Sequence, residues 1–115
     1  MSRSPARAWT QAAPLFAALG DETRLRVVAR LCEEGPLSIA KLSAGADVTR
    51  QAVTKHLRVL AGAGLVKSQR AGRESVYQLQ PRRLSEAQRL LDLISTEWDG
   101  TLERLRAFVE KAPDE

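Results

Sequence analysis

The sequence has almost none of the residues that cross-link small proteins through disulfides or metal ions. It contains one cysteine and one histidine among its 115 residues. A single cysteine cannot form an internal disulfide, and one thiol with one imidazole does not complete a tetrahedral zinc site. We therefore predict no metal site and no cofactor, and we expect an apolar core to stabilise the fold.

Long apolar runs are also absent. No stretch approaches the roughly 20 apolar residues that a membrane-spanning helix needs. The first nine residues, which read MSRSPARAW, carry charge but lack the apolar segment of a signal peptide. These absences predict a cytoplasmic protein without a membrane partner. The length fits one domain over residues 1–115, with residues 1–8 disordered because they show no periodicity.

The middle of the chain has no acidic residues. Between residues 49 and 73 there are six basic residues and no acidic one. From residue 85 onward, acids outnumber bases. This uneven distribution of charge predicts that the middle of the chain binds a polyanion and that the end of the chain has a different function.

Residues 39–60 have the pattern of a helix-turn-helix and read IAKLSAGADVTRQAVTKHLRVL. The spacing predicts a short helix over 39–44 that is capped by Ser38. Gly45 gives the chain the freedom to turn, and Thr49 caps a second, basic helix.

This second helix has one apolar face and one polar face. Val53, Leu57 and Leu60 fall at i, i+4 and i+7, which predicts a buried stripe. The outward residues are long hydrogen-bond donors and small hydroxyls, which suit base edges and phosphates. His56 either contacts a phosphate or packs at the helix edge. The other predicted DNA contacts are Thr49, Arg50, Gln51, Thr54, Lys55 and Arg58.

A short apolar helix is predicted near the start of the chain. Apolar residues recur at helical spacing from Trp9 to Leu19, with Pro14 in or near the first turn and Gly20 closing the segment.

The next predicted helix reads DETRLRVVARLCEE and is capped by Asp21. Leu25, Val28 and Cys32 share one face, so Cys32 is predicted to be a buried structural thiol. A redox sensor, which needs exposure and a nearby positive charge, is the alternative. Arg24 bonds to Asp21 or to a neighbouring helix, or it contacts DNA.

After Gly64 the apolar period changes to two. Residues 65–69 and 74–79 are predicted to be antiparallel strands joined by a tight loop. Arg70 and Arg73 lie in that loop, where they either contact a minor groove or phosphates, or only keep the loop soluble.

A long helix over residues 84–112 is predicted to mediate dimerisation. Its apolar residues recur at three- and four-residue steps, the spacing of a helix that packs against another helix. Trp9 and Trp98 fall on apolar stripes and are predicted to be dimer-core aromatics rather than a ligand box. The predicted interface comprises Phe16, Leu19, Leu91, Ile94, Trp98 and Leu105.

These elements make a mainly α fold with a small β-hairpin, a winged helix-turn-helix of about five helices and a two-stranded wing. The runs ALGDETRLRVVARL, GPLSIAKLSAGADVTRQAVTKHLRVLAGAGLV and GRESVYQL resemble those of ArsR/SmtB-type bacterial repressors, over about residues 15–79. The resemblance implies a homodimer that binds double-stranded operator DNA of palindromic sequence and that is commonly released by an inducer. The sequence does not identify an inducer.

Metal-sensing members of that family carry a cysteine pair in the first helix of the helix-turn-helix. The corresponding positions here are Ser38 and Ala40, with Lys41 where an acid is usual. The resemblance therefore implies a subgroup that lacks metal-ligand motifs. Two alternatives stay open, a thiol-responsive repressor that uses Cys32 and a winged-helix module that docks an acidic protein. No enzyme is predicted, since no glycine loop cradles phosphate and no nucleophile has a placed base.

Overall fold

The computed structural model describes residues 5–44 and 47–111, with side chains from residue 9 onward. It is mainly helical, with a small antiparallel sheet, and this confirms the predicted winged helix-turn-helix. No helix in the described part of the chain is long and apolar enough to cross a membrane. The elements are α1 (Pro5–Leu19), α2 (Glu22–Glu34), β1 (Leu37–Ser38), α3 (Ile39–Ser43), α4 (Arg50–Gly62), β2 (Val66–Ala71), β3 (Glu74–Leu79) and α5 (Pro81–Lys111).

The core lies where α1, α2, α4, β2 and α5 meet. Leu15 of α1, Leu65 before β2, and Leu57 and Leu60 of α4 are completely buried. Val53 is 1% exposed, so the predicted apolar stripe of α4 faces the core, as expected. This packing leaves the opposite side of α4 in solvent.

The α2 helix packs on a different stripe from the predicted one. Val27 and Leu31 are buried, whereas Leu25 is 50% exposed and Cys32 is also exposed. Apolar residues cover much of this helix, and Val28 sits at the edge of both stripes, so periodicity alone did not tell which side faces the core. The prediction that Cys32 is a buried structural thiol is therefore wrong.

The wing contains one strand more than predicted. Both β1 and β2 pair antiparallel with β3, so the sheet order is β1-β3-β2. Leu37 lies opposite Tyr77 in the added pair. With only two residues, β1 is too short to show a periodicity. Gly72 has a φ of 66° and is the first residue of the two-residue turn between β2 and β3, a position that favours glycine.

Three helices begin at the predicted N-caps, where a side-chain oxygen accepts a hydrogen bond from a backbone N–H of the first turn. Because each cap is supplied by the residue just before its helix, this feature follows directly from local sequence. The caps are Asp21 to the Arg24 N–H at 3.0 Å, Ser38 to the Lys41 N–H at 3.2 Å, and Thr49 to the Ala52 N–H at 3.1 Å.

The end of α4 is defined by a Schellman motif. The Leu65 N–H donates to the Leu60 carbonyl at 3.0 Å, and the Gly64 N–H donates to the Ala61 carbonyl at 2.9 Å. Gly64 has a φ of 78°, which L side chains rarely adopt. Leu60 and Leu65 are both buried, which is the apolar contact that accompanies this motif. The motif turns the chain from α4 into the wing.

Two helix boundaries differ from the predictions. The first helix begins at Pro5, so residues 5–8 are helical and Pro14 lies inside the helix rather than near its first turn. The last helix begins at Pro81, because proline suits the first helical position. Residues 1–4, the predicted turn residue Gly45 and residue 112 lie outside the described residues.

Candidate nucleic-acid interface

The outward side of α4 forms a shallow concavity together with Ile39 of α3. We call this surface the recognition face. It brings together five of the predicted DNA contacts, because the buried stripe of α4 points the other way. The α4 residues of the recognition face are Arg50, Gln51, Thr54, Lys55 and Arg58.

The cations of the recognition face have no paired carboxylate in the part of the chain that the structure describes. The concavity contains no carboxylate. Among the described residues, the side chains of Arg50, Lys55 and Arg58 make no hydrogen bond or ion pair. Three cations with free donors on one face suit phosphate oxygens and the acceptor edge of guanine.

The two threonines of this region already make a bond within the protein. The Thr54 hydroxyl donates to the Arg50 carbonyl at 2.8 Å. The Thr49 oxygen accepts the capping bond from Ala52, but its hydroxyl proton is still available. Thr49 is therefore able to donate to a phosphate at the start of α4, and Thr54 presents its methyl group and its remaining acceptor capacity.

His56 lies apart from the recognition face. Its Nδ1 atom is 3.5 Å from Arg24 Nη1 and 3.9 Å from Asp21 Oδ2, at the junction of α1 and α2. The ring thus packs at the helix edge, one of the two alternatives that the sequence left open. Arg24 donates from Nε to the Ala18 carbonyl at 2.6 Å, so its side chain binds a neighbouring helix. The Arg24 backbone N–H lowers the pKa of the Asp21 carboxyl below its ordinary value.

The tip of the wing presents two further cations. Arg70 and Arg73 are exposed at the end of the β2–β3 hairpin, and within the described residues their side chains have no partner. Glu74 is exposed beside them and lies opposite Ala71 in the hairpin.

Two arginines that the sequence did not single out cap the helices of the motif. Arg30 donates from Nη1 to the Lys41 carbonyl at 3.1 Å, at the end of α3, and from Nε to Glu34 at 2.9 Å. This side-chain bond from Arg30 lowers the pKa of Glu34. Arg83 donates from Nε to the Ala63 carbonyl at 3.2 Å, at the end of α4. Such a cap needs a basic side chain that lies close to the helix end in the folded protein. The sequence shows the basic residue, but it does not show which helix end the side chain reaches.

A second exposed surface is apolar. On α5, from residue 91 to 111, all residues are exposed except Gly100 and Ala107, which are half-buried. A groove of about 550 Å³ beside this helix is lined by Trp9, Leu93, Ile94, Glu97, Trp98 and Thr101. We call the exposed apolar residues of α5 the α5 apolar face. They are Leu91, Leu93, Ile94, Trp98, Leu102, Leu105, Phe108 and Val109.

Four of the six predicted interface residues belong to this face. The other two, Phe16 and Leu19 of α1, are partly buried against the core of their own chain. Contiguous exposed apolar residues of this kind mark sites of association.

Residues with metal-binding side chains are scattered. Within residues 5–44 and 47–111, no three His, Cys, Asp or Glu side chains are grouped so that they could hold a metal ion. Ser38, one of the two positions that the sequence resemblance matched to a metal-binding cysteine pair, uses its hydroxyl to cap α3.

Comparisons with known proteins agree with this arrangement. A family model described as a helix-turn-helix domain matches residues 19–69. The HTH-type transcriptional regulator Rv2034 of Mycobacterium tuberculosis is 43% identical over 90 residues, which cover 78% of this chain and 77% of that protein. The arsenical resistance operon repressor of Escherichia coli is 32% identical over 95 residues, or 83% of this chain and 79% of that repressor.

Solved structures show the same relationship. An ArsR-like transcriptional regulator from Rhodococcus sp. RHA1 superposes with a TM-score of 0.77 at 36% identity, covering 90% of this chain and 97% of that one. By its helix-turn-helix, its wing and these relatives, the chain belongs to the ArsR family of DNA-binding winged helix-turn-helix transcriptional repressors.

Proposed function

We propose that this regulator acts as a homodimer on an imperfectly palindromic operator and that it does not respond to metal ions. The observation that carries the proposal is the pairing of two exposed surfaces of opposite chemistry. Within the described residues, the cations of the recognition face have no side-chain partner, and the α5 apolar face stays exposed.

The recognition face accounts for base and phosphate contacts. We assign Arg50 or Lys55 to guanine and Gln51 to adenine, because these side chains make bidentate or donor contacts to those base edges. Thr49 and Arg58 contact phosphates at the two ends of the exposed part of α4, and Thr54 contributes its methyl and hydroxyl groups between them. Arg70 and Arg73 extend the contact from the wing to a phosphate or a minor groove.

Self-association supplies the affinity that a single recognition helix lacks. Two copies joined through α1 and α5 place two α4 helices in successive major grooves, about 34 Å apart. In this assembly Leu91, Ile94, Trp98 and Leu105 pack across the interface, and Phe16 and Leu19 support them from α1. A dimer bound at a promoter excludes polymerase, and repression follows.

The positions that the resemblance matches to metal ligands carry residues that bind metal ions poorly. Ser38, Ala40 and Lys41 supply a hydroxyl, a methyl group and a cation, which are poor substitutes for thiolates. Adding zinc or arsenite should leave the DNA affinity unchanged. A metal-dependent shift in affinity would contradict this part of the proposal.

Selection of bound DNA from a random pool tests the whole proposal. We expect enrichment of two inverted half-sites whose centres lie about one helical turn apart. The matched control is the Arg50→Ala, Gln51→Ala double variant, which should enrich the same spacing weakly or not at all. Failure of the wild-type protein to enrich any sequence would favour the protein-docking alternative.

The exposure of Cys32 favours one second candidate, a thiol-responsive repressor. An accessible thiol on α2 can be oxidised, whereas a buried one cannot. The test is DNA binding before and after oxidation. A loss that reductant reverses, and that Cys32→Ser abolishes, selects this candidate; an unchanged affinity rejects it.

A further inference from the structure

We propose that Arg24 and His56 are positioning residues that couple the end of α1 to the recognition helix α4, so that DNA affinity depends on a contact that does not touch DNA. The inference goes beyond the surface contacts assigned above, and its DNA readout rests on the proposed function.

The guanidinium of Arg24 first caps α1. Arg24 belongs to α2, yet its Nε donates to the Ala18 carbonyl at 2.6 Å and its Nη2 donates to the Ala17 carbonyl at 3.4 Å. Both carbonyls belong to the last turn of α1, where intrahelical partners run out. A cation at the C-terminal end of a helix also interacts favourably with the helix dipole. The orientation of Arg24 is therefore set by where α1 ends.

The same guanidinium reaches the recognition helix. Its Nη1 lies 3.5 Å from Nδ1 of His56, at the long limit of a hydrogen bond. Arginine only donates, so a hydrogen bond between these two atoms has Nδ1 of His56 as its acceptor and the ring proton on Nε2. The His56 side chain is 23% exposed, so this contact is partly shielded from water.

Asp21 fixes the other side of the junction. Its Oδ2 accepts from the Arg24 backbone N–H at 3.0 Å and lies 3.9 Å from Nδ1 of His56. The carboxylate thereby holds the backbone from which the Arg24 side chain leaves. Three residues from two segments of the chain then meet between α1, α2 and α4.

The position of His56 on α4 explains why this junction affects DNA binding. His56 directly follows Lys55 and precedes Arg58 by two residues, and both cations belong to the recognition face. A rotation of α4 about its axis that moves the ring also moves those cations. Trp9 of the same α1 helix lines the groove beside α5, so α1 contacts both the proposed dimer interface and, through Arg24, the helix α4.

A double-mutant cycle on the full chain, prepared without added histidines, tests the coupling. The variants are Arg24→Ala, His56→Ala and the combination, titrated with the operator that the wild-type protein selects. Each single variant should bind about tenfold more weakly, the size expected for a lost charge-assisted hydrogen bond. The double variant should bind no more weakly than Arg24→Ala, because that change already removes the contact with His56.

Two further measurements separate positioning from a direct phosphate contact. His56→Asn places an oxygen acceptor near the position of Nδ1 and should restore most of the affinity, but only when Arg24 is present. The salt dependence of binding should keep its slope in every variant, since no phosphate contact is lost. Additive losses, a slope reduced by about one unit, or no rescue by asparagine would each overturn the proposal.

A spectroscopic arm needs no DNA. His56 is the only histidine in the chain, so its ring nitrogens give unambiguous NMR signals. With the ring neutral, we expect the Nε2–H tautomer in the wild-type protein and a shift toward a mixture of tautomers in Arg24→Ala. A dominant Nδ1–H tautomer in the wild-type protein would refute the contact, even where an alanine variant fails to fold.

The two arms also distinguish two kinds of failure. If the wild-type protein selects no DNA, the proposed function fails and the effect on DNA affinity falls with it. If the wild-type protein selects an operator and the cycle is additive, only the positioning role is wrong.

Discussion

The recognition face on α4 and the α5 apolar face differ in how complete each is within a single chain. The α4 helix buries Val53, Leu57 and Leu60 and turns its cations to solvent. Along its whole length, α5 buries only Ala87 and Leu90. With 31 residues it is about 46 Å long, whereas α1 with 15 residues spans about 22 Å, so α1 covers at most half of α5. The recognition face is therefore complete within one chain, whereas the α5 apolar face is left exposed.

The largest effect is expected when charges are placed on the α5 apolar face, which tests whether this face mediates self-association. We expect Ile94→Asp with Leu105→Asp to give a monomer at micromolar concentration and to weaken operator binding by about a hundredfold or more, because two charges cannot be buried in an apolar interface. Light scattering gives the mass, and a titration gives the affinity.

The matched control for that variant is Thr96→Asp. Thr96 is exposed on the same helix, but it lies two residues beyond Ile94 and so on the opposite side. This variant should remain a dimer. A wild-type protein that is already monomeric would contradict the assignment of the α5 apolar face to self-association.

The next largest effect is expected on the recognition face. Arg50→Ala should weaken operator binding by about 1 to 3 kcal/mol and relax the preference at one base pair, because a bidentate contact to guanine is lost. Measuring affinity for the operator and for single-base variants checks both effects. Arg26→Ala is the control, since Arg26 is an exposed arginine on α2 that pairs with Glu22. Equal losses in both variants would indicate a general charge effect rather than base recognition.

A third prediction concerns the end of α4, which positions the wing relative to the recognition face. Gly64→Ala should lower the free energy of unfolding by about 1 to 2 kcal/mol, because an L residue is strained at this positive φ. An added Cβ would also lie 3.1 Å from Arg83 Cγ and Nε. Gly62→Ala is the control, because nothing lies within 4 Å of its added Cβ and the position is helical.

Denaturant unfolding distinguishes the two glycine variants. The Gly62→Ala protein should be more stable than wild type by about 0.5 to 1 kcal/mol, since alanine favours the helix. If both variants change stability by the same amount and sign, the Schellman motif does not determine where α4 ends.

The wing should contribute a smaller and less specific effect. Arg70→Ala and Arg73→Ala should each weaken binding to all sequences and reduce the salt slope by about one unit, as expected when one phosphate contact is lost. Arg106→Ala on α5 serves as the control, since Arg106 is exposed and pairs with Glu110. A change in base preference without a change in slope would assign the wing arginines to base edges instead.

The smallest expected effect is a pH dependence at the α2 cap. The pKa of Asp21 is lowered in the folded protein, first by the hydrogen bond from the Arg24 backbone N–H. The stabilisation is therefore present above the ordinary pKa of the carboxyl and is lost as the pH falls through the lowered one. The free energy of unfolding, measured between neutral and acidic pH, should fall less in Asp21→Asn than in the wild-type protein. An identical pH dependence in both proteins would contradict the role of the cap.

Structural features that depend only on neighbouring residues could be predicted from the sequence. The caps at Asp21, Ser38 and Thr49 depend on one residue and the first turn that follows it, and all three are present. The buried stripe of α4 was also readable, because its apolar residues occupy one narrow face and leave no second choice.

Other features depend on contacts between residues far apart in the sequence and could not be predicted from it. The stripe on α2 was misplaced, because apolar residues occupy two overlapping faces there and only the neighbouring helices select one of them. The strand β1 has two residues and exists because β3 pairs with it. The capping roles of Arg24, Arg30 and Arg83 also depend on the tertiary structure, since each reaches a carbonyl of another helix or of the turn that follows it.

The amino-acid sequence by itself determined where α2, α3 and α4 start, which side of α4 faces the core and which residues form the cationic recognition face. These properties follow from hydrogen bonds and periodicity within one or two turns of the chain. Only the tertiary structure decided that Cys32 is exposed, that His56 faces Arg24 instead of the recognition face, and that α5 stays largely exposed from residue 91 onward in the described part of the chain. Those properties depend on which surfaces meet, and contacts between residues far apart in sequence leave no local pattern.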